Sequence, residues 1–154
     1  IRVLASRAGI QCKLEPVNLF FRSSDRHLRP DLLLRYPGSI CNNSNKDIVL
    51  DIRVCDPICR SNLYVDAIDK AEKEKQRKYG PHCVASNMCF VPVVFESFGR
   101  WSAKTTSLVK ALVTRAYERD PDYMVLSRLV HYWIKRLSCV LQRTQAEVML
   151  NRYN

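Results

Sequence analysis

The sequence predicts an α/β fold in which helices flank a small mixed sheet and a long helix closes the chain. Three observations predict it. Short apolar runs rich in β-branched residues stand between segments of helical period. Their order is helix, strand, strand, helix, strand, helix, helix, which suits a small sheet covered by helices. No repeat, low-complexity tract or linker divides the 154 residues, so residues 1–154 read as a single domain long enough to bury a core. An apolar content of 47% with four glycines excludes disordered and fibrous classes.

Taken in order, Arg2 to Ala8 reads as a helix end with Gly9 as its stop signal. Arg29 to Tyr36 reads as a strand entered through Pro30, followed by a turn over Pro37-Gly38 and the polar stretch Asn42 to Lys46. Asp47 to Val54 is a second, β-branched strand, broken by Pro57. Leu63 to Tyr79 carries helical spacing and strong helix formers up to Gly80-Pro81, which should stop it. Phe90 to Phe95 is an apolar strand. Thr105 to Arg119 and about Asp122 to Arg152 are helices, the last with Leu126, Leu129, Val130, Trp133, Leu137, Val140 and Leu141 on one face.

The balance of 25 Lys and Arg against 15 Asp and Glu gives a formal charge of +10, which draws a small domain to polyanions. The seven cysteines are odd in number and irregularly spaced, and no apolar run approaches the about 20 residues of a membrane helix. Free thiols in a reduced cytosolic or nuclear setting are expected, with no membrane partner. The spacings around Cys55, Cys59, His82, Cys83 and Cys89 match no standard zinc site. Ile1 in place of an initiator methionine is expected of a piece of a longer polypeptide.

Alternation along the second strand sets Ile48, Leu50, Ile52 and Val54 on a core face and Asp47, Val49, Asp51 and Arg53 on the other. A mid-strand carboxylate needs a partner, either a nearby arginine or a metal ion. Asp31 stands in a similar place ahead of Leu32-Leu33-Leu34; if the strands pair, the two carboxylates meet at one sheet edge and suit Mg²⁺ or Mn²⁺. In the helix between, Tyr64, Ala67, Ile68 and Ala71 form an apolar stripe whose continuation reaches Lys75, Lys78 and Tyr79. Lys78, directly before Tyr79, is the favoured catalytic cation, with Lys75 one turn earlier as the alternative and Arg53 as the rival. Arg26, Arg29, Lys70, Lys73 and Arg77 are the expected nucleic-acid contacts. Glu15, taken as an extended residue before Pro16, and Glu96 are further acids of low rank.

Arg29-Pro30-Asp31, then Val49-Leu50-Asp51-Ile52-Arg53-Val54, then Lys75 to Tyr79 with its K-x-x-K-Y ending, resembles the PD-(D/E)XK nuclease superfamily. More narrowly it resembles the C-terminal restriction-like endonuclease domains of non-LTR retrotransposon reverse-transcriptase polyproteins. Ala8-Gly9-Ile10, Leu14-Glu15-Pro16, Phe90 to Glu96, Leu137-Ser138 and Leu141-Gln142-Arg143 extend the likeness over nearly the whole chain. The resemblance implies a three-layer restriction-endonuclease-like core and a nuclear, DNA-cleaving hydrolase with Asp31 and Asp51 as metal ligands. It also implies a reverse-transcriptase region in the same polypeptide, primed from the 3′-hydroxyl of the nick. One position departs: the superfamily's usual lysine, two residues after the second acid, is Arg53, which cannot exchange a proton near neutral pH. Lys75 or Lys78 has then taken over that role, or the domain is a decayed module that only grips nucleic acid. A basic protein-interaction domain is the third reading.

Overall fold

Gly9 ends the first helix. In the computed structural model, which describes residues 1–20, 28–35, 40, 46–121 and 125–151, α1 spans Arg2–Arg7 and Gly9 sits at φ +70°. That left-handed conformation suits a residue without a Cβ. The chain then enters β1, Gln11–Leu14, a strand that the sequence does not signal because Gln-Cys-Lys-Leu carries no buried alternation. Backbone pairing to its neighbour holds it: β1 runs antiparallel to β2, Leu32–Arg35, from Gln11↔Arg35 to Leu14↔Leu32.

β2 pairs antiparallel with β3, Ile48–Cys55, and β3 pairs parallel with β4, Cys89–Glu96, giving the order β1-β2-β3-β4. The mixed sheet is therefore as expected. A parallel pair needs a crossover, and here it is α2, Ala67–Ala85. This helix begins later and ends later than its sequence pattern suggests. Asp66 caps it, accepting from the Ile68 and Asp69 amides at 2.9 and 3.2 Å, so Tyr64 falls outside the helix and is 95% exposed. At the other end Gly80-Pro81 does not stop it. Tyr79, Gly80 and Cys83 are all buried, and their packing outweighs the lost proline N–H.

Helices cover both faces of the sheet. Leu32, Leu34, Ile48, Leu50, Val93 and Phe95 pack with α1, with α3 (Ala103–Arg119) and with Leu129 and Trp133 of α4 (Leu126–Leu150). Leu33 and Val49 pack on the other face against Phe20 and the Tyr79 and Cys83 side chains of α2. The core face of β3 stops at Leu50: Ile52 and Val54, expected inside, are exposed, while on the opposite face Cys55 is covered by Ala67, Ile68 and Ala71 of α2. Val140 of α4 is likewise exposed. The outer edge of β4 is protected by α3. The Thr105 Oγ1 accepts the Val94 amide at 2.9 Å and the Ser102 amide donates to the Val94 carbonyl at 3.0 Å. No described helix is long and apolar enough to cross a membrane.

Candidate active site

The β2–β3 register brings the two sequence-predicted acids together. Asp31 directly precedes Leu32, which pairs with Leu50, and Asp51 directly follows Leu50; Asp31 lines a groove with Ile1, Leu14, Leu32 and Ile52. The Asp31 Oδ2 accepts the Ile52 amide of β3 at 2.5 Å, which ties the residue to the strand beside Asp51. Asp51 lies on the α2 side of β3 and is buried, with 3% of its surface exposed. A carboxylate so placed demands a compensating charge, and α2 supplies it: the Lys75 ammonium donates to Asp51 Oδ2.

Tyr79, four residues on and so on the same helix face as Lys75, completes the cluster. Its hydroxyl donates to the Arg29 carbonyl at 3.2 Å. Burial first, then the Asp51 charge and hydrogen bond, then the Asp31 charge push its pKa well above the ordinary tyrosine range. The phenol therefore stays protonated at neutral pH, as a donor. In the sequence Tyr79 reads only as the end of a stripe; its four-residue spacing from Lys75 is the signal that places it in the site.

The other cations are arranged differently. Arg53, on the Asp51 face of β3, pairs with Glu74 of α2, a partner that strand alternation does not reveal. Lys78 is exposed, with its ammonium 4.9 Å from the Tyr79 ring centre, against 6.0 Å for Lys75. It is thus Lys75, not the favoured Lys78, that meets Asp51; adjacency to Tyr79 rotates Lys78 about 100° away around the helix. Arg53, Glu74, Lys75, Arg77, Lys78 and His82 line an open cleft of 590 Å³.

Of the expected nucleic-acid contacts, Arg26 lies outside the described residues. Arg29 is exposed and lends its carbonyl to Tyr79. Lys73 and Arg77 are exposed on α2 and line a groove that continues into the cleft. Lys70 instead pins the preceding loop, its ammonium donating to Ser61 O and Asn62 Oδ1 at 2.9 and 3.2 Å.

Glu15 is not extended. It sits at φ +39°, exposed, with its amide donating to the Asp31 carbonyl at 2.8 Å. Glu96 is buried at the far end of β4, held by Arg100 at 2.5 Å, and Arg100 also grips Asp66 at 2.8 and 2.9 Å. That network joins β4 to the start of α2 and stands apart from Asp51.

Asp31 and Asp51 each carry hard oxygen donors of the kind Mg²⁺ or Mn²⁺ takes, one oxygen of each being engaged, by the Ile52 amide and the Lys75 ammonium respectively. Among the described residues no cluster of three or more His, Cys, Asp or Glu gathers for a metal. Cys55 and Cys83 are buried in separate parts of the core, and no disulfide links the described cysteines. No protein-family model and no curated protein sequence matches the chain.

Proposed function

We propose that this domain is a divalent-metal-dependent endonuclease with a restriction-endonuclease-like core. It would hydrolyse DNA phosphodiester bonds as the nuclear, target-nicking part of a retroelement polypeptide that also carries a reverse transcriptase. The observation that carries the reading is the buried Asp51 carboxylate, met by the Lys75 ammonium and flanked by Asp31 across the strand pair. A structural ion pair needs no second acid directly before the paired strand.

Asp31 and Asp51 would hold Mg²⁺ or Mn²⁺, which when bound polarises a phosphoryl oxygen and acidifies water. Lys75 has three N–H donors. One goes to Asp51, and the others can meet a non-bridging phosphate oxygen or orient the attacking water. Water forms the new P–O bond and the bond to the 3′ oxygen breaks, leaving a 5′-phosphate and a 3′-hydroxyl. As negative charge grows on the phosphoryl oxygens, a preset ammonium stabilises it without reorganisation. Tyr79 keeps the Asp51 wall of the site rigid, and Lys73, Arg77 and Lys78 hold the backbone phosphates.

A second reading has its own support. Arg53 occupies the usual lysine position and is engaged by Glu74, as fits a decayed module that only binds nucleic acid. Nicking of supercoiled plasmid by substituted domains separates these. Under the active reading Lys75→Ala slows nicking by a factor of about 10²–10³, as removal of an oxyanion donor does, and Arg53→Ala slows it less. Metal-dependent nicking that survives Lys75→Ala but stops with Arg53→Ala refutes the assignment of Lys75. An absence of nicking with either metal, alongside salt-sensitive DNA binding, favours the decayed module.

A further inference from the structure

The turn between β3 and α2 presents apolar side chains outward from a backbone that is firmly tied down. Tyr64 is 95% exposed, Ile58 65%, Leu63 56% and Val65 52%. The Asn62 amide donates to Cys59 O at 2.8 Å, its side chain to Asp56 O at 2.7 Å, and the Val65 amide to Asn62 O at 3.2 Å. Lys70 clamps Ser61 and Asn62 from α2. The acids of the turn are exposed but engaged: Asp56 Oδ1 accepts the Ile58 amide at 3.1 Å, and Asp66 caps α2 and binds Arg100. The other exposed side chains of the turn are apolar but for Arg60 and Ser61.

We infer that this turn is a wedge for nucleobases, with Tyr64 stacking on, and Leu63 and Ile58 packing against, unpaired bases beside the cleavage site. The wedge rests on the DNA reading above and names a substrate class, a duplex interrupted by unpaired nucleotides. Position and charge support it. Val65 lines the same groove as Lys73 and Arg77; of the acids in its walls, Asp66 is paired with Arg100 and Glu74 with Arg53, beside Asp69, and Arg77 also lines the cleft that holds Lys75 and Lys78. A strand whose phosphates follow those cations is thereby led to the turn. The domain carries a net charge of +10, and cores of protein–protein interfaces are depleted of lysine. Exposed aromatic side chains stack on bases of any sequence, and apolar wedges insert at unstacked steps. Neither contact is open to a phosphate.

The test is fluorescence anisotropy of the full chain with two labelled DNAs of one sequence, fully paired and with a central unpaired bubble, across a salt series. The bubble should bind about tenfold more tightly, the worth of one stacked base. The double substitution Tyr64→Ala with Leu63→Ala should remove that preference while duplex affinity and its salt slope stay unchanged, and Tyr64→Phe should retain it. Equal binding of both DNAs by the wild type, or a preference that survives the double substitution, overturns the wedge and leaves the DNA reading standing. Failure to bind either DNA overturns both. An unchanged DNA profile with loss of self-association in sedimentation velocity would assign the patch to a second copy of the chain and overturn the wedge.

Discussion

Replacing Lys75 of α2 by methionine removes a charge while keeping most of the stem, so it isolates what the ammonium contributes. Its partner Asp51 has a side chain 4% exposed, and Lys75 itself is 18% exposed. Deleting one member of a buried pair costs about 3–5 kcal/mol because the other charge is left without compensation. Residual solvent contact at Lys75 puts the expected loss at the lower end of that range, about 3 kcal/mol. With a urea slope of about 2 kcal/mol per molar, the unfolding midpoint should fall by about 1.5 M. Lys78→Met, at an exposed position over the Tyr79 ring, should stay within about 0.5 kcal/mol of wild type. Asp51→Asn together with Lys75→Met should recover much of the loss, since no buried charge then remains. A Lys75→Met change below about 0.5 kcal/mol, the scatter of ordinary surface substitutions, or a double variant no better than the single one, would refute the view that the pair is buried and mutually required.

Three further outcomes follow from the packing. Thr105→Val keeps the side-chain shape but leaves the Val94 amide without its acceptor, so thermal or urea unfolding should show a loss of about 1–3 kcal/mol. Asp66 is lowered to about pKa 2, chiefly by the hydrogen bond from Arg100 and then by the Asp69 amide. Its contribution is full above its ordinary pKa of about 4 and is lost as pH falls through about 2. The stability gap between wild type and Arg100→Ala should therefore be open at pH 5 and narrow towards pH 2, as read by urea midpoints. Burial pushes Cys83 up to about 12, whereas Cys139 is exposed. Iodoacetamide at pH 8 should label Cys139 in the native protein and spare Cys83 until urea is added, as peptide mass spectrometry would read.

Where the sequence alone suffices, two signals agree. β3 and β4 carry both β-branched composition and a length suited to strands. α3 is legible from Thr105 to Arg119 by its helical period, with Leu108, Val109, Leu112, Val113 and Ala116 buried, and the Ser102 cap starts it two residues earlier. The two aspartates stand out because a charge inside an apolar strand is costly wherever it occurs. What escapes is decided by tertiary partners. β1 exists through pairing to β2, not through its own residues. Gly80-Pro81 stays helical because Tyr79 and Cys83 are drawn into the core. Which lysine meets Asp51 depends on the rotation of α2 over β3, fixed by Ala67, Ile68, Ala71 and Tyr79 together. Lys70 reads as one more solvated cation, and nothing in its neighbours reveals that it pins Asn62.

That Asp31 and Asp51 form a metal-dependent cleavage site is tested most directly by one comparison. Supercoiled plasmid is incubated with wild type and with Asp51→Asn, each with Mg²⁺, Mn²⁺ or EDTA, at protein concentrations that give equal DNA occupancy. Wild type with either metal should yield nicked circles bearing 3′-hydroxyl ends. None should appear with EDTA, and none from Asp51→Asn, whose DNA affinity is unchanged. Nicking by Asp51→Asn at the wild-type rate, or wild-type nicking that persists in EDTA, would contradict the assignment.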